Sequence, residues 1–251
     1  MATVFRLTMR QLTGRWRVVL ILLLVSLPIG LAAIVSATLG EDETSTEGFT
    51  SVLLDALLIA GCLPIISMVL ATAALGNEVE DRTLSYLVLK PISRWRIVLP
   101  KLLAVIAVSG PVLVAGGVIA TVLGASDLGA VIVPFDNPLR GALAVGLALF
   151  AGVVAYSSIF VWAGLMTNRA LGFGLMYVFI WEGLLGTFLD GIRYLSVRGY
   201  TLAILHGTYE DGFESLADRS IPLEAGVVGA AVVTIAFFLL TVRRLTRMDV
   251  P

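Results

Sequence analysis

The sequence predicts an all-α integral membrane protein. It should have six transmembrane helices, an N-terminal amphipathic helix at the inner surface, a short cytosolic helix between spans two and three, and both termini in the cytoplasm. Three observations predict this. Hydrophobic residues make up 58% of the 251-residue chain and charged residues 14%, with a mean hydropathy of +0.98. A soluble domain sits near 45–50% apolar and about 25% charged, and could not cover so much apolar surface. Six apolar runs reach the roughly 20 residues needed to cross about 30 Å of hydrocarbon. Lys and Arg also fall unevenly between the connecting loops, which fixes orientation. Disordered, collagen-like and disulfide-rich classes are excluded by the same composition.

The elements follow in order. The N-terminus lacks a short apolar core ahead of a small-residue cleavage site, so the first apolar run is expected to remain as a span. Across residues 3–17, Phe5, Met9, Leu12 and Trp16 recur at helical spacing, and Arg6, Arg10, Thr13 and Arg17 line the other side. That is an amphipathic helix at the inner membrane surface, its apolar side in lipid and its cations toward anionic headgroups. Spans are expected at 18–39, 56–76, 102–124, 141–166, 170–189 and 225–242, within one domain covering 1–251. Pro28, Pro64 and Pro111 fall inside three of them, where neighbouring helices can re-satisfy freed carbonyls. The stretch 190–224 is the longest outer loop, and its Ile192, Tyr194, Leu195 and Val197 make it too apolar for a free linker. It is expected to lie partly back in the membrane as short half-helices.

One side of this arrangement carries Arg6, Arg10, Arg15, Arg17, Arg82, Lys90, Arg94, Arg96, Lys101, Arg169, Arg243, Arg244 and Arg247, thirteen of the 17 basic residues. The other has Arg140, Arg193, Arg198 and Arg219, beside an acidic first outer loop with Glu41, Asp42, Glu43 and Glu47. The basic side is cytoplasmic by the positive-inside rule, and an even number of spans brings both termini there. The net charge of −1 gives no reason to expect a nucleic-acid partner.

The segment 78–101 is the most informative. It holds Glu78, Glu80 and Asp81, five cations, and between them an apolar patch of Leu84, Tyr86, Leu87, Val88 and Leu89. Thr83 to Leu89 can make about two helical turns before Pro91 stops it. A stripe flanked by opposite charges suits docking to another protein, and it equally suits a loop resting on the bilayer. Glu182 stands some 13 residues into the fifth span, roughly 20 Å deep at 1.5 Å per residue. A carboxylate there is costly and faces a bundle interior or a watery cavity. It could touch substrate, relay a proton or act as a gate. Alternatively it is structural, pairing with Arg193 or Arg198 from the outer loop or hydrogen-bonding Trp181 or Tyr177; the outer arginines favour this structural role. Asp55 is expected at the outer interface. Ala144, Ala148 and Gly152 share one helical face, as do Gly226 and Ala230, which permits close helix approach, within the subunit in preference to a dimer.

Several chemistries are excluded. One cysteine, Cys62, and one histidine, His206, cannot form an internal disulfide or a usual Zn site. Cys62 reads as a small buried apolar residue. A membrane zinc protease needs a His-Glu-x-x-His pair, and a serine protease needs an intramembrane His. No Gly-x-x-x-x-Gly-Lys-Ser/Thr phosphate loop is present, so the chain does not grip ATP in the usual way.

The run Glu78-x-x-x-x-Thr83-Leu84, then Leu87 to Leu89, Lys90-Pro91-Ile92-Ser93-Arg94 and Lys101, resembles the signature of type-2 ABC transporter permeases. These are the membrane subunits of two-part bacterial and archaeal ATP-driven exporters. An amphipathic helix followed by six spans fits the same family. Tyr177-Val-Phe-Ile-Trp-Glu-Gly-Leu-Leu-Gly186 and Gly191-Ile-Arg-Tyr-Leu-Ser196 resemble the fifth span and outer loop of one branch. Arg82 departs from the pattern, standing where Gly commonly precedes Thr. The resemblance implies that 78–101 contains a coupling helix seated on the ATPase, formed from Glu78, Glu80, Asp81, Arg82, Thr83, Leu84, Leu87, Lys90, Pro91, Arg94 and Lys101. Residues 3–17 would be the connecting helix, with Phe5, Arg6, Met9, Arg10, Leu12 and Trp16. The expected partners are a cytosolic ABC ATPase subunit, a second permease copy or a related permease, and membrane lipid. No cofactor is bound by this chain; ATP and Mg would sit on the ATPase. The chain is thus not an enzyme by itself. Other classes remain: a proton-coupled secondary transporter using Glu182, which would call for more buried charges and inverted repeats, or a non-transporting assembly subunit. Under the permease reading, Glu78→Ala or Arg94→Ala should lower substrate-stimulated ATPase activity with membrane insertion intact.

Overall fold

Every described element is a helix, because in a chain this apolar the backbone must satisfy its own hydrogen bonds. The computed structural model describes residues 2–38, 52–80, 93–125, 137–167, 169–186, 190–210, 213, 216 and 220–247. Helix α1 spans Ala2–Leu12 and α2 Arg15–Thr38. A π-helical stretch α3, Val52–Cys62, runs directly into α4, Leu63–Glu80. Next come α5, Trp95–Ala125, and α6, Pro138–Met166. Helix α7, Ala170–Met176, continues into a second π-helical stretch, α8, Tyr177–Leu185. A 3-10 turn α9, Asp190–Leu195, leads to α10, Val197–Thr208, and α11, Leu223–Arg247, ends the bundle.

Among the described residues five helices are long and apolar enough to cross a membrane: Arg15–Ile34, Leu53–Gly76, Trp95–Thr121, Leu139–Met166 and Leu223–Arg247. The expected fifth span, 170–189, is different. Its apolar helix Ala170–Leu185 is shorter than the others, and 16 residues reach at most about 24 Å at 1.5 Å each. The expected third span also starts earlier, at Trp95 rather than 102. Segment 190–224 is not a continuous loop, since α10 within it is buried along most of its length.

Helix α6 lies at the centre, packed on α4, α5, α10 and α11. Small residues set the spacing. Ala144 and Ala148 are buried, and a Cβ on Gly152 would meet Leu63 and Thr201 within 3 Å. Gly164 lies against the backbone of Thr72 and Gly76. Contacts of Gly152 with Leu63 and Gly164 with Thr72 make α4 and α6 parallel. Lys101 with Glu78 at one end, and Gly117 with Leu58 at the other, make the α3–α4 run antiparallel to α5. Several hydroxyls inside the bundle are satisfied by their own helices: Thr72, Ser109, Thr121 and Thr241 each donate to the carbonyl four residues back, whereas those of Ser67, Tyr156 and Ser157 are buried without a hydrogen-bond partner.

Helix α1 corrects one expectation. Its apolar side faces protein: Leu12 is fully buried, Phe5 and Met9 pack against the core, and α1 rests on α5 and α4. Gln11 donates to the Ala73 carbonyl, 3.5 Å away. The helix stops at Thr13-Gly14, so Trp16 belongs to α2 and leaves the shared face, 85% exposed. Arg6 and Arg10 are exposed as expected.

Gly226 of α11 touches Ala203 and Tyr200, and a Cβ there would come within 2.5 Å of the Ala203 Cβ. Gly226→Val should therefore cost about 1–3 kcal/mol by overpacking, read as a lower thermal midpoint in detergent. Gly172→Ala, with open space around it, should leave the midpoint unchanged or raise it.

Candidate functional site

Two polar constellations interrupt the apolar bundle, one toward each end. The first assembles where α3, α8 and α10 meet. Both π-helical stretches carry its acids, Asp55 on α3 and Glu182 on α8. Asp55 is 0% exposed and Glu182 1%. Arg198, on the first turn of α10, meets Asp55 in a fork: Nε donates to Oδ1 and Nη2 to Oδ2, each at 2.7 Å. This pairing joins positions 143 residues apart in sequence. Burial opposes the Arg198 charge, and the hydrogen bonds and charge of Asp55 more than offset it, so its pKa rises above the ordinary value.

Glu182 takes a different role from a simple ion pair. Oε1 accepts from the Tyr177 hydroxyl at 2.9 Å and from the backbone N–H of Val197 at 3.0 Å. Oε2 accepts from the Ser196 hydroxyl and from the backbone N–H of Arg198 at 3.3 Å. A carboxylate has about four lone-pair sites, and all four are filled. The reason lies in α10. Its first N–H groups have no partner within the helix, and once buried they need one. Ser196 caps the Gly199 N–H at 3.1 Å, while Glu182 takes the two before it and places negative charge at the positive end of the helix. Glu182 thus pairs with neither guanidinium expected of it: Arg198 gives it only a backbone N–H. Tyr177, also expected, does bond it, while the Trp181 indole donates to the Leu195 carbonyl at 3.3 Å.

Two further residues fix the turn into α10. A Cβ on Gly199 would stand 2.3 Å from the Arg193 carbonyl oxygen, so only glycine lets the 3-10 turn close on the helix. The Tyr200 hydroxyl donates to the Tyr194 carbonyl at 2.6 Å. Burial, then the Glu182 charge, raises the Tyr200 pKa and keeps the phenol a donor.

The second constellation sits at the end holding α1. Lys101 is 1% exposed, and its Nζ donates to Glu78 Oε1 at 2.5 Å and to the Ala74 carbonyl at 2.6 Å. Lys101 therefore lies in the interior of α5 rather than on a docking surface. It staples α5 to the last turns of α4, where a cation also suits the helix dipole. Glu78 is partly exposed, with 22% of its side chain accessible. Residues 81–92, including Asp81, Arg82, Thr83, Leu84, Leu87, Lys90 and Pro91, lie outside the described residues, as does the side chain of Glu80. Arg94 opens the first turn of α5, its carbonyl accepting from Ile97 and Val98. Beside it the Arg96 guanidinium lies 5.5 Å from the Trp95 ring.

Asp55 was missed as a site residue: it stands near the end of its apolar helix, as expected, and is buried there against Arg198. The available signal was an acid one turn inside an apolar run. Ser196 was also missed, although a Ser before an apolar stretch is an N-cap signal. The π-helical turns have no counterpart in hydrophobic periodicity. Among the described residues no three His, Cys, Asp or Glu side chains converge as a metal site would require.

A family model described as ABC-2 family transporter protein matches residues 3–250, nearly the whole chain. No curated protein matches it.

Removing one partner of a buried pair strands a charge, at about 3–5 kcal/mol. Asp55→Ala should therefore unfold or severely destabilise the protein, and adding Arg198→Leu should recover much of the loss. The same cycle revises the expectation for Glu78: Glu78→Ala should itself destabilise, and Glu78→Ala with Lys101→Met should be milder. Thermal midpoints in detergent for the single and double variants measure both cycles.

Proposed function

The chain belongs to the ABC-2 family of transporter proteins, and we propose that it is the permease subunit of an ATP-driven exporter whose ATPase is a separate polypeptide. The family match across residues 3–250 carries this reading. The five long apolar helices of a multi-pass membrane protein support it. In the proposal the short helix Ala170–Leu185 completes a sixth crossing, both termini face the cytoplasm, and α1 lies at the inner surface as the connecting helix. The described basic residues favour that orientation. Arg6, Arg10, Arg15, Arg17, Arg94, Arg96, Lys101, Arg169, Arg243, Arg244 and Arg247 belong to the end that holds α1, against Arg140, Arg193 and Arg198 at the other.

Mechanically, residues 78–101 receive the force of ATP binding. The ATPase would press on the apolar stripe around Leu84 and Leu87 between Glu80, Asp81, Arg82, Thr83, Lys90, Pro91 and Arg94. The Glu78–Lys101 staple closes this segment at its base, so motion imposed there reaches α4 and α5 together. Helix α1, with Leu12 seated in the core, would move with them. A second permease copy or a related permease forms the pathway with this one, and ATP and Mg act on the ATPase.

Glu182 as a proton relay has less support. Its lone-pair sites are all filled, and it is built into the start of α10.

Affinity purification of the tagged chain from its native membrane should recover a cytosolic nucleotide-hydrolysing subunit. Leu87→Glu should reduce that recovery at least tenfold while the permease stays in the membrane. Equal recovery, or labelling of a cysteine placed at residue 87 by an impermeant reagent outside the cell, would refute the docking role. Glu182→Gln leaves one acceptor oxygen for four donors. It should lower the thermal midpoint while ATPase activity per folded complex is retained; a relay would instead lose pH-dependent transport at unchanged stability.

A further inference from the structure

Three side-chain hydroxyls inside the apolar helices Leu53–Gly76 and Leu139–Met166 have no hydrogen-bond partner: Ser67 on α4, and Tyr156 and Ser157 on α6. We propose that these hydroxyls bind ordered water within the bundle, supplied through the open cavity beside the start of α10. The inference does not depend on the transport reading.

Burial makes the three exceptional. Ser67, Tyr156 and Ser157 are each 0% exposed, and a hydroxyl that loses its hydration and gains no partner is unfavourable. Their neighbours avoid this. Thr72 donates to the Met68 carbonyl at 2.7 Å, Ser158 to the Ala155 carbonyl at 2.7 Å, and Thr201 to the Val197 carbonyl at 2.9 Å. A serine in any helix has that route to its own backbone, yet Ser67 and Ser157 do not take it. Tyr156 has no such route, because a phenol carries its oxygen far beyond its own helix carbonyls.

The three lie at one level. Gly152 meets Leu63 and Gly164 meets the Thr72 backbone, so 63–72 of α4 and 152–164 of α6 run side by side. All three hydroxyls fall between these two contacts. Helix α7 closes over the same level, where Gly174 touches both Met68 and Phe160.

The acidic cluster connects this level to solvent. The Tyr156 ring stacks on Phe160 with centroids 5.9 Å apart. Phe160 meets the Tyr177 ring at 6.2 Å, and the Tyr177 hydroxyl bonds Glu182. Glu182 and Arg198 are the charged groups that act on Tyr156. Glu182 cannot absorb the Tyr156 proton as well, since Tyr177, Ser196 and two backbone N–H groups fill its lone pairs. Both charged residues also line an open cavity of about 180 Å³, together with Ser196 and others. A polar cavity of that size has room for several waters, whereas an apolar one stays dry. Solvent thus comes up to the carboxylate next to Tyr156. A buried water needs two to four polar partners, and each hydroxyl can both donate and accept.

The test is radiolytic hydroxyl-radical labelling of the full chain in detergent, read residue by residue by mass spectrometry. Radicals formed from a bound water modify the side chain touching it. Tyr156 should be oxidised at least about fivefold faster than Phe160, the ring stacked on it, which is also buried. Ser67→Ala or Ser157→Ala removes one partner of the water and should slow Tyr156 oxidation about twofold. Tyr156→Phe should lower the thermal midpoint, because the water loses its partner; in a dry contact it would remove an unpaired hydroxyl and raise the midpoint by about 2 °C or more. Oxidation of Tyr156 no faster than that of Phe160, a rate unchanged in both serine variants, or a raised midpoint overturns the site. Should Tyr156→Phe fail to fold, labelling of the unaltered chain and the serine variants decides.

Discussion

A charge inside an apolar bundle must find its partner within the chain, because the surrounding lipid supplies none. The polar architecture of this permease follows from that constraint. Arg198 is held by Asp55, Lys101 by Glu78 and the Ala74 carbonyl, and Glu182 by two hydroxyls and two backbone N–H groups. Such pairs add little net stability, since desolvation consumes most of the Coulomb gain. Their effect is on geometry. A sliding or rotation of α10 against α3 and α8 would break several charged contacts at once, so one arrangement is strongly preferred. Apolar helix faces alone would tolerate neighbouring registers.

The two ends use this device differently. Near α1 the staple is short in sequence, joining helices on either side of one connection. Glycines 76 and 164 let α4 and α6 touch nearby. Toward the other end the Asp55–Arg198 link ties α3 to α10 across 143 residues, and Glu182 ties α8 to the start of α10. A helix pinned by its N-terminal hydrogen bonds and packed along most of its length is a structural member, and it arises from a stretch whose apolar residues already suggested short helices.

What the sequence made legible follows the strength of the physical signal. Long apolar runs place the helices because hydrocarbon demands about 20 such residues, and α2, α6 and α11 lie close to the expected limits. Apolar composition does not reveal that the helix at 170–185 is partly wound in wide π turns. Glu182 was legible as an unusual charge. Its partners were not: two are backbone N–H groups, which carry no residue identity. Lys101 read as the residue opening a span, since nothing local indicates that Trp95 to Pro100 already belong to the helix. The apolar face of α1 was seen, but periodicity cannot distinguish lipid from protein as its neighbour. Trp16 fell off that face because Gly14 breaks the helix, a cue present in the sequence and outweighed by the spacing.

The stunted helix Ala170–Leu185 has a mechanical corollary for the surrounding lipid. A bilayer core near 30 Å overhangs a helix of about 24 Å by several ångströms, and the mismatch is relieved by local thinning of the bilayer. Phe173, Met176, Phe179 and Leu184 are among the exposed apolar side chains of this helix that such a deformed annulus would cover. Acyl-chain length and sterol content then become variables acting on this side of the protein, independent of any nucleotide.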